Sequence, residues 1–343
     1  MDLLERLTQT AGIAGREQRM ADLVRLQIED LVDEIHTDAL GSVIGVRHPR
    51  PRRRRSPLKV MLAAHMDQIG FMVRHIDDKG FLRVHAVGGF DPRNLFARLV
   101  MVATDGGDLP GVMNPAVRPA HIATDEDRKK VPEIADLVID LGLPAEKVKR
   151  QVKIGDMVVI KANFARVGDT VVAQALDNRV ACWIVIRALE KLKHHACQIQ
   201  CVFTVQEEVG LRGAGTAAFA LQPDIGIALD TTLCVDVPGM PEDQCVTRQG
   251  HGAALTVMDS SSIADLQLLN TFEQLAQKHQ IKHQRSVLPR GGTDAGSIQR
   301  AGSGARTFTL SCPTRYIHTV AEMIHLDDLH ACRDLLGAYL AEA

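Results

Sequence analysis

The residues with chemistry to offer are acids and histidines placed where apolar runs end. The run 59–64 leads straight into His65-Met66-Asp67. In extended backbone, side chains two apart share a face, so His65 and Asp67 project together while Met66 faces away. An imidazole beside a carboxylate is the usual pairing of a metal ligand with its orienting partner, although strands also end in polar residues with no such purpose. Asp177 stands just before an apolar helix expected over 180–192. A carboxylate there could bridge two cations, and either Asp177 or Asn178 would equally serve as an ordinary N-cap. Glu207-Glu208 follows the core run 201–206. Adjacent carboxylates repel unless a cation or a shared proton compensates, and parallel sheets place ligand sites outside the carboxyl ends of their strands. One glutamate could ligate while its neighbour, turned the other way, handles protons; the bland alternative is a solvated surface pair. Asp230 closes the run 225–229, and His318 arrives late in the chain.

Five of these, His65, Asp177, Glu208, Asp230 and His318, make a mixed nitrogen and oxygen ligand set for two divalent cations. Zn²⁺ suits it, with Co²⁺ or Mn²⁺ able to substitute. If one carboxylate is shared, each ion has three protein ligands and an open position, the composition of a two-metal hydrolytic site. His194 and His195 sit at a helix end, where cations are favoured, and His36, His75, His85, His279 and His283 lie in polar stretches; these are read as structural. There is no GxSxG, GxxxxGK[ST], strand-following GxGxxG or HExxH motif, which disfavours the competing chemistries.

Side chains so far apart in sequence need a rigid frame. At 343 residues the chain is long enough for two domains, or for one with a large insertion. After residue 165, short apolar strands (198–205, 225–229, 253–258, 306–310) alternate with helices (262–279, 327–341), as does the start of the chain (a helix with Met20, Leu23, Val24, Ile28 and Leu31 on one face, then strands at 43–46 and 59–63). That predicts an α/β fold with a mostly parallel sheet flanked by helices. Between 69 and 162 the segments are strand-like, with hairpin signals at Asp77-Asp78-Lys79-Gly80 and Asp105-Gly106-Gly107-Asp108 and one amphipathic piece near 144–151. The expected division is therefore 1–68 with 163–343 as one domain, and 69–162 as an inserted, smaller β-rich domain.

Composition narrows the classes. Forty basic residues against 42 acidic ones give a net charge of −2, which argues against nucleic-acid or membrane-surface partners. Aromatic residues are 3% of the chain, too few for stacking platforms. No apolar stretch approaches the roughly 20 residues of a spanning helix, and the start, Met1-Asp2-Leu3-Leu4-Glu5, lacks the basic opening of a signal peptide. Seven cysteines without a CxxC pair read as reduced thiols of a cytoplasmic protein. The basic run 48–57 is read as a solvated loop, since its four consecutive arginines fall short of a charge block.

Residues 64–73 (AHMDQIGFMV), 206–213 (QEEVGLRG), 291–295 (GGTDA) and 315–318 (RYIH), with Gly88-Gly89-Phe90-Asp91-Pro92 in the insert, resemble the motifs of the M42 metallo-aminopeptidases. That family includes glutamyl and tetrahedral (TET) aminopeptidases, and some members have carried an endoglucanase label. The likeness runs from about residue 3 to the end. It implies a phosphorylase/hydrolase-like peptidase domain interrupted by a β-rich dimerisation domain, with dimers assembling into a homo-oligomer, commonly a dodecamer. It further implies that Asp177 bridges two metals, that His65 and Asp230 complete one site and Glu208 and His318 the other, that Glu207 is the general base and acid, and that Asp67 orients His65. Gln68, Asn178 and His318-Thr319-Val320 depart from the family pattern without removing a ligand. The implied activity is removal of N-terminal residues from peptides. Alternatives are a metal-dependent deacylase of N-acyl amino acids on the same ligands, or a non-catalytic assembly protein with a vestigial site. A glycosidase pair built on Glu207 fits poorly with histidine ligands and scarce aromatics. First-residue specificity is assigned to the loops 233–250 and 284–300, and Thr293-Asp294 either cap a helix or line the pocket.

Overall fold

The computed structural model describes residues 1–51, 56–119, 121–129 and 131–343. Four strands form its centre: Gln198–Thr204, Lys59–His65, Ile225–Leu233 and Arg306–Arg315, neighbours in that order and all parallel. Their side chains alternate between two packed layers. Val60, Leu62 and Ala64 join the core beneath the helices Leu176–Lys191 and Leu326–Glu342, whereas Met61 and Ala63 pack under Arg212–Leu221 and Asp294–Gln299. Burial on both faces explains the apolar run Val60–Ala64, while Arg306–Arg315 also buries its threonines and a serine. Leu176–Lys191 is itself apolar nearly all round, and twelve of its sixteen residues are buried, as a central helix covered on every side requires.

The expectation of a mostly parallel sheet holds at this centre and for Ala253–Met258 beside His283–Val287. Among the described residues, six of the ten pairings in the sheet are antiparallel. Val43–Arg47 and Glu34–Thr37 extend one edge; Glu322–His325, Thr170–Ala173 and Ala165–Val167 extend the other, and Ala253–Met258 also pairs with Arg306–Arg315. A short connection accounts for three of the antiparallel pairings, Glu34–Thr37 with Val43–Arg47, Ala165–Val167 with Thr170–Ala173 and Arg306–Arg315 with Glu322–His325, while the other three join segments distant in the chain. The run at 225 is also longer than expected, continuing to Leu233, so Asp230 lies within its strand rather than at its end.

Between Gly70 and Ile160 six strands close a separate barrel in the order Gly70–Ile76, Leu82–Val87, Leu137–Asp140, Gly107–Pro115, Arg98–Thr104 and Met157–Ile160. It has its own core around Phe71, Val84, Val100 and Ile139, and closure leaves it no free edge. Both expected hairpins form. In the first, Asp77 Oδ1 accepts the N–H of Lys79 and of Phe81, and Gly80 takes φ +87°. The amphipathic piece is the helix Ala145–Gln151. Of the basic 48–57 run, residues 52–55 lie outside those described. No helix among the described residues is long and apolar enough to cross a membrane, and all seven cysteines are free.

Candidate active site

His65 ends the central strand Lys59–His65, directly beside Thr204 in the neighbouring strand. The chain beyond Thr204 turns through Gln206 in left-handed backbone (φ +56°), and this turn aims the two following glutamates at different targets. Glu207 Oε2 lies 3.7 Å from His65 Nε2, while Glu208 Oε2 lies 3.3 Å from His318 Nε2. Asp177 stands between the histidines, its Oδ1 3.2 Å from His65 Nε2 and its Oδ2 3.5 Å from His318 Nε2. Asp230 Oδ1 approaches His65 Nε2 to 3.8 Å. Two groups able to hold a cation result, His65 with Asp177 and Asp230, and Asp177 with Glu208 and His318; within each, the candidate ligand atoms lie within 4.8 Å of one another. Asp177 belongs to both.

The arrangement fits cations. Asp177 Oδ1 and Glu208 Oε1 are buried oxygens with no hydrogen-bond partner, and such oxygens are costly unless something positive meets them. Four carboxylates face two imidazoles, and the charge imbalance shows in the acidities. Burial drives Glu207 and Asp230 well above the ordinary carboxylate range and raises Glu208, the neighbouring acids adding to it. Burial would also raise Asp177, but its contacts with His318 and His65 hold it well below that range. The imidazoles respond in the opposite sense: burial would lower His318, yet Asp177 and Glu208 push it up to about 11, and His65 is likewise raised by Glu207, Asp177 and Asp67. Cation binding would replace those protons and neutralise the acids together.

Two buried carboxylates grip the backbone of this cluster. Asp67 Oδ1 accepts the Glu207 N–H at 3.0 Å and its Oδ2 accepts the Glu208 N–H at 3.1 Å. Toward His65, Asp67 offers its backbone carbonyl to Nδ1 at 3.1 Å, with the carboxylate farther off at 3.6 Å. Asp67 therefore orients the glutamate pair through its side chain and His65 mainly through its carbonyl. Glu322 does the same for the other half: Oε2 accepts the Asp177 N–H at 3.0 Å and Oε1 the His318 N–H at 2.8 Å. Sequence reasoning missed Glu322; its signal was a glutamate four residues after His318, easily taken for a surface acid. Asn178 is no helix cap. Its Nδ2 donates to Leu229 O, tying the Asp177 segment to the strand bearing Asp230, and Asp177 and Asn178 both depart from helical backbone.

Asp294 and Thr293 also separate. Asp294 is buried and accepts from Thr204 Oγ1 at 2.5 Å, beneath the His65 strand end. Thr293 lines a cleft of about 500 Å³ whose floor includes His65, Glu207, Asp230 and His318. The glycines at the start of 88–92 press in from the barrel side: a Cβ on Gly89 would lie 3.3 Å from His318 Nδ1, and one on Gly88 would lie 3.4 Å from Glu208 Oε2.

Residues 41–335 match the family model described as M42 glutamyl aminopeptidase. The chain belongs to the M42 peptidase family. Membership makes it a hydrolase acting on peptides. Among M42 relatives, a lysyl aminopeptidase of Pyrococcus furiosus is 34% identical over 99% of this chain and 96% of its own. An aminopeptidase from the archaeon Desulfurococcus kamchatkensis superposes with a TM-score of 0.93 at 36% identity, covering 100% of this chain and 94% of that one. The TET1 peptidase of Pyrococcus horikoshii, which can assemble into a tetrahedron or a large octahedral shell, superposes with a TM-score of 0.88 at 32% identity, covering 99% and 98%.

Proposed function

We propose that this chain is a dinuclear metal-dependent aminopeptidase, with His65, Asp177 and Asp230 holding one cation and Asp177, Glu208 and His318 the other. The observation that carries this is the pair of three-residue groups sharing Asp177. Zn²⁺ suits the donors, with Co²⁺ or Mn²⁺ as substitutes. Bound there, such cations supply Lewis acidity and lower the pKa of water toward about 7. Glu207 has a free carboxylate in the cleft, raised in pKa and 3.7 Å from His65, and it takes the proton of the attacking water and returns it to the leaving amine. Asp67 and Glu322 hold that geometry through the backbone bonds described above. We assign the chemistry to 1–68 and 163–343 and assign 69–162 to the pairing of copies within a homo-oligomer, as the TET likeness supports. A cytoplasmic location agrees with seven free thiols.

The test is a mixed peptide pool digested by metal-stripped protein reconstituted with Zn²⁺ or Co²⁺, with N-terminally blocked peptides as control. Stepwise loss of first residues, from free amines and only with metal, is expected. Release of acyl groups from the blocked peptides alone would replace this reading with the deacylase.

A further inference from the structure

The cleft over the candidate metal ligands carries a strongly unbalanced set of fixed charges. Its acids, Asp177, Glu207, Glu208 and Asp230, all belong to the cluster already described, and among the described residues Arg290 is the one lysine or arginine in its lining. Arg290 is exposed. Among the described residues its guanidinium has no hydrogen bond or ion pair, whereas Arg285, Arg306 and Arg315 are matched to carboxylates. A guanidinium presents five donors in a planar fork suited to a carboxylate, and here that fork is left open.

The backbone that carries it is held on both sides. Leu288 N–H donates to Met258 O at 2.9 Å, and the Gly291 carbonyl accepts from Ser260 through both its N–H, at 3.0 Å, and its Oγ, at 2.5 Å. Thr293 Oγ1 donates to Asp259 Oδ2 at 2.9 Å, and Asp259 Oδ1 in turn accepts the N–H of Ser261 and of Ser262. Arg290 thus projects from a short segment anchored at three points, so its backbone is already ordered and only its side-chain rotamers remain to be fixed on binding. A second polar group of the same cleft is also left unmatched. Thr232, which also lines it, is 2% exposed and its Oγ1 has no hydrogen-bond partner; a buried hydroxyl without a partner is a polar group the protein alone leaves unsatisfied.

We propose that Arg290 is a specificity residue that receives a carboxylate of the peptide substrate. This rests on the aminopeptidase reading and deepens it, since family membership does not fix the first residue: the family model is described as glutamyl and a 34% identical relative as lysyl. A peptide offers that carboxylate from two sources, an acidic first side chain or the free C-terminus of a short chain. The two are separable by matched pairs in which only the charge changes.

For the first source the pair is glutamyl and glutaminyl p-nitroanilide, neither of which has a C-terminal carboxylate. For the second it is Leu-Gly-Gly and its C-terminal amide. Metal-reconstituted full-length protein is expected to favour the charged member of one pair by about tenfold to hundredfold in kcat/KM, the usual worth of a charge-assisted hydrogen bond. In Arg290→Gln that ratio is expected to fall to near one, and in Arg290→Lys to be partly kept, because an ammonium supplies charge without the fork. The ratio is internal to each variant, so a misfolded protein would lose both members alike and not mimic the result. Equal rates within both pairs in the unmodified protein, or a preference that survives Arg290→Gln, would overturn the proposal. Calorimetric titration of the same four compounds onto the protein separates the two readings. No turnover of any free-amine compound would sink the aminopeptidase, while a binding preference for the charged members that depends on Arg290 would still support the carboxylate receptor, and its absence would remove it.

Discussion

At the scale of single residues, the site sets buried oxygens without hydrogen-bond partners beside backbone bonds that hold their segments in place. Glu207 is the carboxylate that neither of the two three-residue groups requires, so its replacement separates chemistry from binding. In Glu207→Gln the metal content is expected to match the parent while kcat falls by ~10²-fold or more, as measured by metal analysis alongside steady-state rates; unchanged kcat would take Glu207 out of the proton-transfer role. Glu322 makes the converse case. Both of its oxygens accept N–H groups, although burial and Asp177 raise its carboxyl well above the ordinary range, and a glutamine would turn an NH₂ group against one of those donors. Glu322→Gln is expected to weaken metal binding by ~10–100-fold, read by competition with a chromophoric chelator. Undiminished affinity would reduce Glu322 to a packing residue.

At the scale of elements, strands carry His65 and Asp230 while turns carry Glu207, Glu208 and His318, and the anchorage of those turns is what the fold contributes. The segment 88–92 reaches from the barrel to the site through Gly88, which sits at φ +86° with Ile69 Cγ2 only 2.4 Å from where a Cβ would stand. Gly88→Ala meets a disfavoured backbone and a clash together. A destabilisation of roughly 1–3 kcal/mol is expected from denaturant titration, with loss of activity through displaced Glu208. The loop after Ile225–Leu233 is fastened by Asp236, whose carboxylate accepts from Arg315 Nε at 2.6 Å and from its NH2 nitrogen at 2.8 Å, three residues before His318. Burial pushes the Asp236 carboxyl up, but Arg315, the Cys234 thiol and the Gln249 N–H outweigh it and hold it at about 2 against an ordinary 3.8. A depressed acid stabilises the fold fully above its unfolded pKa and loses that contribution as pH falls through the folded one. The unfolding free energy of the parent should therefore exceed that of Asp236→Asn by about 1 kcal/mol near neutrality, solvent screening included. The difference should vanish below about pH 2. A pH-independent difference would mean that the charge of Asp236 is not what matters.

At the scale of the whole molecule, the barrel has an apolar core of its own yet leaves Leu99, Ile122, Val131 and Ile154 more than half exposed. Those side chains belong to the unit we assign to the pairing of copies. Light scattering coupled to size exclusion is expected to return a multiple of the 37.5 kDa chain mass at micromolar concentration, a dodecamer being the TET-like outcome. A single-chain mass would remove the assembly role from 69–162.

The sequence by itself determined the candidate acids and histidines and the central elements. His65, Glu207-Glu208 and Asp230 were legible because each interrupts or follows an apolar run long enough to reveal its burial, and burial of an ionisable group calls for a reason; His318 has no such run before it. The β-rich character of 69–162 was legible because turn residues such as Asp77 and Gly80 act locally. What only the tertiary structure decided lies in contacts between distant segments. Glu322 meets Asp177 across 145 positions and Asp67 meets Glu207 across 140, and no local pattern marks a carboxylate whose partners are backbone N–H groups elsewhere in the chain. Strand direction at the sheet edges escaped for a similar reason: hydrophobic alternation reports which face a residue occupies, while the length and path of each connection decide whether neighbours run parallel. Asp177, ambiguous between cap and ligand in the sequence, became a shared ligand candidate once two histidines 253 positions apart were brought to within 3.5 Å of its two oxygens.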